Sequence, residues 1–111
     1  MNKTGSTDPS IHKMIRELQP GAVINNRGFG DGDFGTPERD WDKSVETSLE
    51  FPTPTEACNS VGSESWGYRE DEDYYTAEYL IRCIDMVLAK GGNYLLNIGP
   101  DADGIIPAPA L

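Results

Sequence analysis

Four side chains in this sequence carry groups from which a binding and proton-transfer site can be assembled: Arg27, Glu38, Glu56 and Trp66. Glu38 stands in Thr36-Pro37-Glu38, with Phe34 and Trp41 nearby in sequence. Aromatic neighbours that strip water from a carboxyl favour its protonated form, which a general acid needs near neutral pH. Glu56, in Thr55-Glu56-Ala57-Cys58, is a second carboxylate in the same neighbourhood. Arg27 ends Asn25-Asn26-Arg27 and presents a fixed fork of donors for hydroxyl groups or a carboxylate; the alternative is a surface arginine paired with Asp31 or Asp33. Trp66, in Ser65-Trp66-Gly67-Tyr68, is either a flat apolar wall for a ligand or an anchor that fastens its loop to the core.

These groups need elements to hold them, and the clearest lie late in the chain. Tyr94 to Ile98 is apolar apart from Asn97, without alternation. This predicts a strand over about 93–98, buried on both faces of a parallel sheet. Asn97 lies at its carboxyl end, where parallel α/β folds build sites, and Gly99-Pro100 ends it. Thr76 as cap, Glu78 near the positive end and the stripe of Leu80, Ile81, Ile84, Val87 and Leu88 predict a helix over about 76–90, closed by Gly91 and Gly92. With a strand over about 55–60 this makes a strand, helix, strand unit, whose crossover should be right-handed. Near the start, Asp8-Pro9 opens a helix over about 8–18, with Ile11, Met14, Ile15 and Leu18 on one stripe and His12 off it as a solvated residue. Pro20-Gly21 stops it, and Ala22-Val23-Ile24 begins a strand over about 22–26. Residues 28–41 are rich in glycine and aspartate and read as a site loop. Asp31, Asp33 and Gly35 do not fit the register of a calcium-binding EF-hand.

The chain has 111 residues, 9 basic and 19 acidic, for a net charge of −10. Such a balance argues against nucleic acid, whose phosphates reward a basic face, and suits a neutral sugar better. No apolar run approaches the roughly 20 residues of a membrane span, and Met1 to Ser6 lacks the apolar core of a signal peptide. Cys58 and Cys83 have no C-x-x-C spacing and only His12 for company, so no metal site is expected. Cys83 sits at helical spacing among apolar residues, as a small buried hydrophobe does.

Five groups of residues, in one order, extend the reading: Glu17-Leu18-Gln19-Pro20, Asn25-Asn26-Arg27, Phe34-Gly35-Thr36-Pro37-Glu38, Thr55-Glu56-Ala57-Cys58, and Ser65-Trp66-Gly67-Tyr68 taken with Lys90 to Gly104. From about Ile11 to Pro107 the chain resembles part of the catalytic domain of the α-L-fucosidases of glycoside hydrolase family 29. The resemblance implies an α/β fold, a partial (β/α)8-like (TIM) barrel holding later strands only, because a whole barrel needs about 250 residues. It implies a retaining hydrolase that releases L-fucose from a fucosylated oligosaccharide or glycoconjugate, with no cofactor. Glu38 is then the acid/base, Glu56 the alternative, Arg27 a substrate-pocket residue and Trp66 the wall for the sugar's methyl group. Members are commonly secreted, periplasmic or lysosomal. The family's nucleophile is an aspartate in a Trp-x-Asp-like setting that should precede Asp8, and neither it nor the histidine-rich part of the pocket occurs here. An inactive piece is expected, self-associating through open sheet edges. A non-catalytic carbohydrate-binding or calcium-stabilised module would instead show paired aromatics on alternating strands, which are missing; a purely structural module is the remaining rival.

Overall fold

A computed structural model describes residues 9–28, 32–39 and 48–111. The described chain runs helix α1 (Pro9–Leu18), strand β1 (Glu56–Ser60), helix α2 (Ala77–Ala89), strand β2 (Asn93–Asn97) and a short 3-10 turn at Ala108–Ala110. Asp8, expected to cap α1, lies outside the described residues, as do Asp31 and Trp41.

Helix α2 has well-defined ends. The Thr76 hydroxyl accepts from the Tyr79 N–H at 3.2 Å and satisfies one of the donors that a helix start leaves unpaired. At the other end Gly91 takes φ +76°, and the Gly91 and Gly92 N–H groups donate back to Leu88 O and Val87 O, both at 3.0 Å. Two such bonds around a left-handed glycine form a Schellman motif. It turns the chain directly into β2, where Gly92 packs so tightly that a Cβ would meet the Phe51 ring at 2.7 Å.

β1 and β2 pair in parallel, from Glu56 opposite Asn93 to Ser60 opposite Asn97. Side chains alternate across a strand, so Ala57, Asn59, Tyr94 and Leu96 share one face. Beneath that face lies α2, and the core is small: Ala57, Val61, Cys83 and Val87 are the buried hydrophobic residues among those described. The other face carries Glu56, Cys58 and Leu95. Leu95 is 51% exposed and Ile98 39% exposed. The expectation of a strand buried on both faces through residue 98 is therefore corrected: β2 ends at Asn97, and only α2 covers it among the described residues.

Two further corrections concern the earlier residues. The strand expected over 22–26 is reduced to one bridge, Asn25 with Phe34, because Asp33 takes the Ile24 N–H with its side chain at 2.8 Å. Residues 34–38 of the expected site loop are instead extended and paired with the chain before and within β1. Gly35 bridges Thr55 and Glu38 bridges Cys58, both in parallel. Gly35 N–H to Pro54 O, Glu56 N–H to Gly35 O, Cys58 N–H to Pro37 O and Arg39 N–H to Cys58 O, at 2.8 to 3.2 Å, make a regular ladder. Backbone groups on residues 35–39 are thus satisfied as in a sheet, despite a composition that reads as loop. Cys58 and Cys83 are not joined in a disulfide.

Candidate functional site

The ladder decides where Glu38 stands. Residues paired across a sheet share a face, so Glu38 lies beside Cys58, on the face opposite α2. Glu56 shares that face but sits two residues earlier, about 6.6 Å nearer the amino ends of the strands.

Arg27 reaches Glu38 from the neighbouring segment. Its Nη1 donates to Glu38 Oε1, and each side chain keeps 30% of its surface exposed. Two more bonds fix the guanidinium, Nε to Thr36 Oγ1 at 2.7 Å and Nη2 to Thr36 O at 3.2 Å, while the Arg27 backbone N–H donates to Asn25 Oδ1 at 3.1 Å. The Thr36 hydroxyl donates in turn to Asn26 Oδ1 at 2.8 Å. The surface pairing of Arg27 with Asp33 does not form. Arg16 takes both Asp33 carboxylate oxygens at 2.6 Å and also donates to Ala22 O, tying α1 to the sheet. The Arg16 guanidinium, with the Ile24 N–H, holds the Asp33 carboxyl below the usual carboxylate range.

Cys58 lies beside Glu38 across the ladder. Burial pushes its thiol up, with the charge of Arg27 pulling the other way. A raised thiol is a poor nucleophile.

Trp66 joins the site through its loop. Asn97, at the end of β2, donates its side-chain N–H to Trp66 O. The Glu72 carboxylate accepts from the Glu64 and Ser65 N–H groups at 2.8 and 3.1 Å. Gly99 then runs so close that a Cβ there would lie 2.6 Å from the Gly67 carbonyl carbon. The loop is anchored by its backbone, and the indole stays 37% exposed. Its ring is packed by Arg39, whose guanidinium carbon is 4.3 Å from the ring centroid.

Glu56 faces a different space, a cleft of about 320 Å³ at the amino ends of the strands, lined also by Asp33, Phe34, Thr55 and Asn93. Sequence reading named Arg27, Glu38, Glu56 and Trp66. The structure brings Arg27 and Glu38 into contact, and seats Trp66 over the residue next to Glu38. Thr36, Asn26 and Arg39 were not singled out as site residues; position beside the flagged Glu38 and Arg27 was the available signal. His12, expected in solvent, is half-buried, and a Cβ at Gly28 would meet its Nε2 at 3.3 Å. Among the described residues no group of three His, Cys, Asp or Glu side chains could hold a metal ion, and no helix is long and apolar enough to cross a membrane.

Residues 1–110 match the family model described as Alpha-L-fucosidase. The plasma alpha-L-fucosidase of Rattus norvegicus is 44% identical over 60 residues, covering 51% of this chain and 13% of that protein. The tissue enzyme of Homo sapiens is 44% identical over 54 residues, covering 46% and 12%. Among solved structures, alpha-L-fucosidase isoenzyme 1 from Paenibacillus thiaminolyticus superposes with a TM-score of 0.74 at 34% identity, over 90% of this chain and 26% of that one. The Thermotoga maritima alpha-fucosidase in complex with fucose gives 0.69 at 28%, over 91% and 22%. A Bacteroides thetaiotaomicron GH29 alpha-L-fucosidase, trapped as a covalent intermediate with 2-fluoro-fucosyl fluoride, gives 0.73 at 27%, over 90% and 27%. The chain thus spans about an eighth of the curated relatives and about a quarter of the solved ones.

Proposed function

The chain belongs to the alpha-L-fucosidase family, and from that premise we propose that it supplies the acid/base side of a retaining α-L-fucosidase acting on fucosylated glycans. Its parallel segments correspond in this reading to later strands of a (β/α)8-like barrel. The face that carries Glu38, Cys58 and Leu95 is then the inner one.

The observation that carries the assignment is the contact of Glu38 with Arg27 on the sheet face left uncovered by α2. Retaining hydrolysis uses two carboxyl groups, roughly 5 to 5.5 Å apart. In the first step Glu38 protonates the departing oxygen while an aspartate from outside this chain attacks the anomeric carbon. In the second step the Glu38 carboxylate takes a proton from water, which displaces the aspartate. The trapped covalent intermediate of the Bacteroides relative supports such a two-step course. In the proton-donating step Glu38 turns to the glycosidic oxygen, which leaves Arg27 to find another partner. Hydroxyl groups of the bound sugar offer that partner, since the guanidinium fork has donors only. Trp66 provides an apolar surface for the fucose methyl group. Glu56, facing the opposite end, is an orienting or structural carboxylate.

The test compares two polypeptides on an aryl α-L-fucoside. The 111 residues alone should give no turnover, and the same residues preceded by a nucleophile-bearing segment should. Turnover by the 111-residue chain alone overturns the division of labour.

A further inference from the structure

Arg39 has a role that follows from its own contacts. Its backbone N–H donates to Cys58 O at 3.2 Å, which locks the residue onto the ladder one position after Glu38. From there the side chain crosses to the Trp66 loop. Nη1 donates to Ser63 O at 2.9 Å, and the guanidinium lies over the indole. Nε and Nη2 are buried with no hydrogen-bond partner among the described residues. Buried donors without partners are unfavourable. A planar cation held in this way gains its compensation from the electron-rich ring face, which attracts guanidinium within about 6 Å of the centroid.

The loop's hydrogen bonds to Glu72 and Asn97 act on its backbone and not on the ring. They engage backbone atoms of Glu64, Ser65 and Trp66, so they fix where the indole starts and not how it is turned. We propose that Arg39 is a positioning residue, which sets the Trp66 indole relative to the Glu38 strand and preorganises its exposed surface as a stacking platform for the apolar face of a sugar. The contact itself does not depend on the fucosidase reading; its use in substrate binding rests on that reading.

The chain has two tryptophans, so Trp41→Phe leaves Trp66 as the sole fluorescent reporter. In that background Arg39→Met keeps the apolar stem and loses the cation. Acrylamide quenching of Trp66 should rise about twofold, as expected for loss of a contact of this strength, with the far-UV CD spectrum unchanged. Unchanged quenching in a folded Arg39→Met chain overturns the proposal. Should that variant lose its CD signal, NMR on the unsubstituted chain decides. The indole ring current must move the Arg39 Hδ resonances upfield, and their appearance at random-coil positions overturns it equally. In an enzyme carrying the nucleophile segment, Arg39→Met should raise KM for an aryl α-L-fucoside about fivefold with kcat within about twofold, the signature of lost ground-state binding. A quenching change with KM unmoved would retain the contact and overturn the role of the platform in sugar binding.

Discussion

Two glutamates stand two residues apart along one face of this short sheet, and they are held differently. Glu38 is gripped by a guanidinium that is itself pinned by Thr36, and the next residue packs against an exposed indole. Glu56 faces a cleft whose other walls include Phe34, Thr55 and Asn93, while the nearby Asp33 is already spent on Arg16. A carboxylate aligned by a fixed cation can be exchanged between partners in a defined geometry. One that merely lines a cleft has no such alignment. In the proposed reading, residue type alone does not make a catalytic carboxylate; the partners on adjoining segments do.

The sharpest way to break this comparison is to remove each glutamate from an enzyme that carries the nucleophile segment. Glu38→Ala should lower turnover of substrates with poor leaving groups by about 10²- to 10⁴-fold, while activated aryl fucosides suffer less in the first step. Azide should then rescue the second step and give a fucosyl azide of retained configuration. Glu56→Ala should stay within about tenfold of the parent, an orienting contribution of the order of one hydrogen bond. Rescue confined to Glu56→Ala would reverse the assignment.

A smaller effect is expected at Arg27. Losing a charge-assisted bond of about 1.5 to 3 kcal/mol should lower kcat/KM by about 10- to 100-fold. Arg27→Lys should fall close to Arg27→Ala, because an ammonium cannot reproduce the fork that spans Thr36 and Glu38. Steady-state kinetics with both variants checks this.

The Trp66 loop is a matter of stability. Gly99→Ala would drive a methyl group into the Gly67 and Tyr68 backbone and should cost about 1 to 3 kcal/mol. Asn97→Ala, which removes one hydrogen bond to Trp66 O, should cost about 1 kcal/mol. Denaturant melts rank the two, and Gly99→Ala tolerated without loss would show the loop to be loosely held.

The smallest effect is electrostatic and belongs to the other end. The Asp33 carboxyl is held below its ordinary value by Arg16, so the pair contributes stability above the unfolded carboxylate value of about 3.9. That contribution is lost as pH falls through the lower folded value. An NMR titration should place the Asp33 midpoint below the ordinary carboxylate range, and Asp33→Asn should abolish the corresponding acid-induced loosening of α1.

How much of this could be read in advance depended on how local the cause was. Helix α2 was legible because Thr76, Gly91 and the apolar stripe act within a few residues of themselves. The strand-like run from Phe34 to Glu38 was not. Its Gly35 and Pro37, after the glycines and aspartates of residues 28–33, signal loop, and its backbone partners, Pro54 to Cys58, lie about 20 residues away. Partner choice among charges was equally hidden: Asp33 lies closer in sequence to Arg27 than Glu38 does, yet Arg16 takes it from α1 and leaves Glu38 to Arg27. The late strand was legible, but the burial on both faces expected of it did not hold, since apolar composition records what a strand prefers and not which neighbours are present to cover it.

The order of pairing has a kinetic consequence. Each extended segment bonds to the one that follows it in the chain: Asn25 to Phe34, nine residues on, Gly35 to Thr55, 20 on, and Glu56 to Asn93, 37 on. Loop-closure entropy grows only with the logarithm of length, so the longest of these closures costs about 1 kcal/mol more than the shortest. Every contact is available as soon as its second partner leaves the ribosome, because none waits on a segment synthesised later. The Arg27–Glu38 contact can therefore form while β2 is still unmade, and β2 needs only to dock onto the free edge of β1, whose other edge already pairs with the Glu38 segment.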